Sequence, residues 1–280
     1  MAATKPSTLV QAFLAEGPVP LFIGGQWRPS TKKQTFEVLD PGAGARLAEV
    51  YNGDGEDIDA AVHAARQAFR KSGWATMKPS ERGVYLHRLA DAVEEHHEAL
   101  AEIEARNVGK PLAQARFDIA NFPKTVRYYA DLALHISYRE PIPAPHHEAR
   151  TVRHPYGVCA FIFPWNFPFL LVGWGISPAL AAGNTVVIKP SEDAPLSTMY
   201  LAQLVKQVGI PDGVINIVPG LGETTGTPLA QHPGLNRMSF TGSPEVGRLV
   251  AESCGRNLVP VKLELGGKGA AVVFPDVDVN

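Results

Sequence analysis

From Tyr156 to Ile188 the chain carries no charged residue. A stretch of that length leaves water only by crossing a membrane or by entering the interior of a fold. A spanning helix needs about 20 uninterrupted apolar residues. Here Pro164, Asn166, Pro168, Pro178 and Asn184 break the run, and Gly173, Gly175 and Gly183 break it further. The segment therefore reads as a buried strand (VCAFIF), a turn, a helix from Phe169 to Ala182 and a second buried strand (TVVIK).

The same alternation continues towards the C-terminus. A helix over Leu196–Val208 precedes the strand VINIVPG, and a helix over Thr225–Gln231 precedes RMSFTGS. A helix over Glu245–Cys254 then leads to VKLEL, with AAVVF as a further strand after a Gly266-Gly267 turn. Short apolar strands alternating with helices predict an α/β fold: a doubly wound, Rossmann-like parallel sheet that binds ligands at the carboxyl ends of its strands. The final PDVDVN has the form of a turn and N-cap opening another helix, and so suggests a truncated chain.

The first half reads differently. LFIGGQW is a strand with a Gly-Gly turn, and Phe36–Leu39 and Ala48–Tyr51 are short strands. Helices follow, one capped by Asp57, one capped by Ser80, one from His96 to Val108 that stops at Gly109, and one through Phe117–Leu134. Residues 135–154 carry three prolines amid mixed polar and apolar residues and predict an extended hairpin arm. The resulting division is 1–134 helical, 135–154 arm and 155–280 sheet domain.

At the strand exits, each chemical group admits two readings. Asn166, bracketed by Pro164 and Pro168, is either an amide donor for an oxyanion or a turn residue satisfying local amides. Lys189 and Glu192 either grip the hydroxyls of a ribose or form a solvated ion pair. Gly220, Gly222 and Gly226 follow GxGxxxG spacing, which either admits a phosphate at a helix N-terminus or only makes a tight turn. Ser243, after Gly242, either caps a helix or also bonds a phosphate or nicotinamide neighbour. Glu264 lies in an apolar strand, where burial would raise its pKa and make it a general base; otherwise it is a strand-edge residue paired with Lys262 or Lys268.

In this order, PWNFP, KPSE, the glycine turn, FTGS and LELGGK resemble the aldehyde dehydrogenase superfamily, as do FIGGQW, the ERG-initiated helix and the GKPL turn. The resemblance extends over residues 20–280, and the betaine-aldehyde and broad-specificity branches look nearest. It implies oxidation of a small aldehyde to an acid through a thiohemiacetal and thioester, with NAD favoured over NADP. Asn166 matches the oxyanion-hole asparagine, and Glu264 the glutamate that activates water. Lys189 and Glu192 match the adenosine-ribose pair, and Ile162, Phe163 and Trp165 match positions whose backbone lines the cofactor. Gly222, Gly242 and Ser243 match the pyrophosphate and nicotinamide side. The 135–154 arm matches a segment that pairs with a neighbouring subunit, and homodimers or homotetramers are expected.

The resemblance also marks a departure. The family's cysteine nucleophile lies further beyond the LELGGK glutamate than the sixteen residues that follow Glu264 here. Cys159 falls inside a strand and Cys254 near a helix end, so both read as buried structural thiols. The catalytic domain is thus expected to be missing and the chain inactive alone. A catalytically inert NAD-binding remnant and a truncated gene product are the alternatives. Twenty-six basic residues against twenty-eight acidic ones, scattered along the chain, give no footprint for nucleic acid. Two cysteines without ligand spacing give no disulfide framework and no metal site. The N-terminus lacks the basic start and apolar run of a secretory signal, which suggests a cytoplasmic protein.

Overall fold

A computed structural model describes residues 7–15 and 17–278. The chain opens with α1 (Thr8–Ala15), the hairpin β1 (Leu21–Ile23) and β2 (Gln26–Arg28), and a second hairpin, β3 (Thr35–Asp40) and β4 (Ala45–Tyr51). Helices α2 (Gly55–Lys71), α3 (Pro79–Glu95), α4 (His97–Val108) and α5 (Leu112–His135) follow, then an exposed hairpin of β5 (Arg139–Ile142) and β6 (Ala149–Val152). The alternating series comprises β7 (Val158–Ile162), α6 (Pro168–Ala181), β8 (Thr185–Lys189), α7 (Leu196–Gln207), β9 (Ile215–Ile217), α8 (Thr227–Gln231), β10 (Arg237–Gly242), α9 (Pro244–Arg256) and β11 (Val261–Leu265).

The main sheet has the order β11-β10-β7-β8-β9-β1-β2. Strands β7 to β11 pair in parallel, whereas β1 lies antiparallel to β9, so the sheet is mixed rather than purely parallel. LFIGGQW folds as two strands because Gly24 (φ +61°) and Gly25 (φ +77°) both take left-handed conformations, as a two-residue hairpin turn requires. Buried Asn216 of β9 fastens this hairpin: its Oδ1 accepts from Gly24 N at 2.9 Å and its Nδ2 donates to two main-chain carbonyls.

Alternate strand residues enter two cores. Cys159, Phe161, Val186, Ile188 and Ile217 face one side, packed with α3 to α7. Val158, Ala160, Val187 and Met238 face the other, beneath α2, α8 and α9. Strands covered on both faces explain the uncharged run from Tyr156 to Ile188. Among the described residues no helix is long and apolar enough to cross a membrane. The chain moves outward through β7, β8 and β9, then returns to place β10 on the other side of β7. That reversal opens a crevice at the carboxyl end of β7.

Several boundaries differ from the sequence reading. Asp54, not Asp57, caps α2, accepting from the Glu56 and Asp57 amides; Asp57 is the third residue of the helix, buried, and bonds Arg28 and Thr31. Ser80 is likewise inside α3, which starts at Pro79, whose fixed φ suits a first helical position, while Glu81 accepts from Lys78 N. Helix α5 starts at Leu112, directly after Pro111, not at Phe117. Ahead of α8 the chain makes one π turn, Gly222–Gly226, in which Thr227 N reaches back to Gly222 O. AAVVF forms no strand: residues 270–274 pair with no neighbouring strand and lie exposed.

Two predictions follow from packing. Gly220 has φ +154°, and a Cβ there would fall 2.0 Å from Thr225 Oγ1 and 2.8 Å from Asn52 Oδ1. Gly220→Ala is expected to destabilise the chain by on the order of 2 kcal/mol, whereas Gly222→Ala stays within about 1 kcal/mol, read by denaturant unfolding. The second concerns the thiols, both of which are buried. Burial pushes the Cys159 thiol up to about 12 and raises Cys254 as well. A raised thiol pKa favours the protonated fold, a contribution present below the unfolded value and lost only as pH rises through the folded one. Native chain at pH 8 should therefore leave both thiols unreacted towards an aromatic disulfide reagent, with both reacting in guanidinium. Rapid reaction of the native protein would contradict the burial.

Candidate active site

The crevice is built around the exit of β7. Phe163 N donates to Lys189 O at 3.1 Å, which holds the strands together one residue past their end. Pro164 then starts a loop, Trp165, Asn166 and Phe167 are exposed, and Pro168 opens α6. Phe167 gives α6 no side-chain cap. Its N-terminus is served instead by Glu104 of α4, whose Oε1 accepts from Phe169 N at 3.4 Å. Asn166 Oδ1 accepts from Phe167 N at 3.1 Å, so the turn-satisfying reading of this side chain is present. The Nδ2 group still has no protein acceptor among the described residues.

Three walls enclose an open cleft of about 1000 Å³. Phe163, Trp165, Asn166 and Phe167 form one, with Leu171 and Trp174 of α6 beside them. Thr241, Gly242 and Ser243 form the second, and Glu264 to Lys268 the third. Ser243 caps α9, its Oγ accepting from Val246 N at 3.2 Å, and it retains a hydroxyl proton to donate. Gly242 is demanded by the chain's own packing, because a Cβ would meet the Phe240 ring at 2.5 Å.

Glu264 departs from the general-base expectation. Its strand, β11, is a sheet edge, the side chain is 59% exposed, and Lys262 Nζ lies 3.1 Å away. Burial, which would make this carboxyl basic, is absent, and the strand-edge ion pair is what the structure shows.

A second cluster lies at the exit of β8. Lys189 Nζ donates to Glu192 Oε2 at 2.6 Å, and Gly222 N donates to Glu192 Oε1 at 3.2 Å. This is not a solvated pair: the Lys189 side chain is 3% exposed and that of Glu192 36%. Burial pushes the Lys189 ammonium down. Burial alone would lift the Glu192 carboxyl, but the Lys189 charge and hydrogen bond, with the Gly222 amide, hold it below the usual carboxylate range. Ile162 pairs with Lys189 across β7 and β8, and Trp165 stands between the cleft and a smaller groove lined by Glu192. A Cβ at Gly222 would meet nothing closer than 3.7 Å, so packing does not require glycine there. The structure thus gathers Phe163, Trp165, Asn166, Gly242, Ser243 and Glu264 around one cleft. It joins Lys189, Glu192 and Gly222 beside it.

The sequence reading missed the polar residues that brace these loops. Asn52 Oδ1 accepts from Leu221 N and Thr224 Oγ1, fixing the glycine turn. Asn107 donates to Asp193 O and accepts from Leu196 N, fixing the loop after β8. Lys110 Nζ lies 2.8 Å from Asp118, 3.0 Å from Asn166 O and 3.5 Å from Glu104. Burial pushes the Glu104 carboxyl up, against the opposing pull of Ser197 and Lys110. The available signal was spacing: Glu104 and Asn107 lie one turn apart at the end of α4, with Lys110 just past its Gly109 cap. Among the described residues no group of three metal-ligating side chains occurs.

The model of the aldehyde dehydrogenase family matches residues 27–280. Human retinal dehydrogenase 2 is 47% identical over 264 residues, which cover 93% of this chain and 51% of that protein. Among solved structures, the NAD+ complex of an aldehyde dehydrogenase from Bacillus cereus superposes with a TM-score of 0.94 at 39% identity, covering 98% of this chain and 56% of that one. Betaine aldehyde dehydrogenase from Staphylococcus aureus, in complex with NAD+, gives 0.89 at 34% identity, covering 93% and 52%. The chain spans about half the length of the curated relatives it matches. On the match over residues 27–280, the chain belongs to the aldehyde dehydrogenase family.

Proposed function

We propose that these residues form the cofactor-binding part of an NAD-dependent aldehyde dehydrogenase, and that the whole protein oxidises a small aldehyde to a carboxylic acid through a thiohemiacetal and a thioester. The observation that carries this reading is buried Lys189 bonded to half-buried Glu192 at a strand exit, beside a glycine that packing does not require.

The residues present fit the cofactor. Glu192 stays ionised beside Lys189 and, as a two-oxygen acceptor, would take the vicinal hydroxyls of the adenosine ribose. The same carboxylate repels a 2′-phosphate, which favours NAD over NADP. The open space over Gly222 would admit the pyrophosphate, and Gly242 and Ser243 would border the nicotinamide side. The backbone of Ile162, Phe163 and Trp165 would line the cofactor between them. Bound NAD supplies the hydride acceptor.

Asn166 would contribute its Nδ2 hydrogens to the oxyanion of the thiohemiacetal, a type of contact that contributes about 3 kcal/mol where it has been removed by substitution. Glu264 would activate water for thioester hydrolysis, a role that needs cover over β11 to remove the carboxyl from solvent. Neither Cys159 nor Cys254 can be the nucleophile, since both are buried away from the cleft. In this reading the thiolate lies outside the 280 residues, and the chain alone binds NAD without oxidising aldehydes. The exposed β5–β6 hairpin, an open edge at residues 135–154, would pair with another subunit of a homodimer or homotetramer. Two free thiols suit a reducing, cytoplasmic setting.

The test is quenching of Trp165 fluorescence by NAD and NADP, with calorimetry as a check. Saturable NAD binding is expected, with NADP weaker by roughly tenfold, about 1.4 kcal/mol. Glu192→Gln should narrow that difference, and Lys189→Met should weaken NAD by a similar factor. Equal affinity for the two cofactors in the parent chain would overturn the assignment of Glu192.

A further inference from the structure

We infer that Lys110 is a positioning residue for Asn166, gripping the main chain of the PWNFP loop so that the amide faces the cleft in one orientation. The inference rests on the reading of Asn166 as the oxyanion donor. Its physical basis is independent of that reading.

The loop has little to hold it. Pro164 and Pro168 lack amide hydrogens, and Trp165, Asn166 and Phe167 are all exposed. The main chain from Asn166 onward is nevertheless fixed at two points from a single source, the junction of α4 and α5. At Asn166 itself, Lys110 Nζ donates to the carbonyl oxygen at 3.0 Å and lies 4.7 Å from the centre of the Phe167 ring. Three residues on, Glu104 Oε1 accepts from Phe169 N at 3.4 Å. The Asn166 side chain folds onto Phe167 N through its Oδ1, which leaves Nδ2 as its outward group.

The junction is built as a rigid mount. The Lys110 side chain is only 9% exposed, and its partners Glu104 and Asp118 are 0% and 1% exposed. Asp118 is held in turn by Gln114 at 2.8 Å. Among the described residues Glu104 Oε2 lacks a hydrogen-bond partner. Two buried carboxylates around one ammonium are a poor device for stability, since an apolar set of equal volume is commonly as stable or more so. What the ionic arrangement provides instead is an ammonium of fixed position, with a donor left over for a carbonyl on another element. An aliphatic side chain could fill the space without fixing the loop.

The test follows the Asn166 side-chain amide in ¹⁵N-labelled chain, assigned by its loss in Asn166→Ala, together with hydrogen exchange of residues 166–171. In Lys110→Met the dispersed Asn166 amide signal is expected to collapse towards the free value. Exchange at the Phe169 and Leu171 amides should rise roughly tenfold, while β8 amides remain unchanged. Lys110→Arg, which keeps charge and donor, should restore both signals. Because Lys110→Met strands two carboxylates, Lys110→Met/Asp118→Asn serves as a companion with less uncompensated charge. An unchanged Asn166 signal in a folded Lys110→Met or companion variant would overturn the inference, as would a uniform rise in exchange across α6 and β8. Neither readout needs aldehyde or NAD, so a failed oxyanion assignment or a failed cofactor titration stays distinguishable from a failed mount.

Discussion

Helices packed against both faces of β7, β8 and β9 leave these strands no solvent, and the rest of the molecule is arranged around that exclusion. A polar side chain inside such a sheet must be fully bonded or absent. Thr185 meets the condition by donating to Ala65 O at 3.0 Å, and Asn216 by serving three main-chain groups. The first charge along the series is Lys189, on the last residue of β8, and its ammonium is matched within three residues by Glu192. Chemistry is therefore displaced to the carboxyl edge of the sheet. There the reversal between β7 and β10 opens a crevice, and the strand ends deliver PWNFP, KPSE and FTGS to it.

At that edge, glycines of similar appearance do different things. Gly220 is fixed by its backbone angle and by Thr225 and Asn52, and Gly242 by the Phe240 ring. Both would be glycine whether or not a ligand came near. Gly222 has neither constraint, yet its amide already bonds Glu192 and its outer side is open. Absence of an internal reason is the physical mark that separates a glycine kept for a partner from one kept for packing. In the GxGxxxG run the first position lacks that mark, whereas a Cβ at Gly222 or Gly226 would meet nothing closer than 3.7 Å.

How much of this the sequence discloses depends on whether the cause is local. The spans of β8, α6 and α7 follow from apolar runs bounded by Gly and Pro, and they agree with the structure to within a residue. The start of α2 was misread by three residues because Asp54 and Asp57 are both competent caps, and only the bond pattern decides between them. The antiparallel addition of β1 and β2 depends on Asn216, far away in sequence, so periodicity could not reveal it. Lys189 could be read as half of a solvated pair because part of its cover comes from the Gly222–Gly226 turn, far off in sequence: a Cβ on Gly226 would lie 3.8 Å from the Lys189 side chain. The Glu104–Lys110–Asp118 cluster was hidden for a related reason. Charged residues at a helix end ordinarily face water, and only the arrival of PWNFP from fifty residues on turns that stripe into an interior. For Glu264 the sequence left a buried base and a strand-edge pair both open, and the position of β11 at the sheet edge gives the exposed pair with Lys262.

These contrasts leave the cleft unequal in its walls. The wall bearing Asn166 is braced by buried charges from α4 and α5, and the wall bearing Ser243 by the cap of α9. The wall bearing Glu264 has neither, and beyond it Val272, Val273 and Phe274 are more than two-thirds exposed. An oxyanion donor depends on geometry, which in the proposed reading the braced PWNFP loop supplies. A carboxylate base depends on its medium, because the exposed carboxyl paired with Lys262 keeps water's dielectric around it. In the proposed reading the two catalytic groups therefore mature by different routes. Asn166 is preorganised by the fold in hand, and Glu264 becomes a base only when further protein surface covers β11 and the apolar segment that follows it.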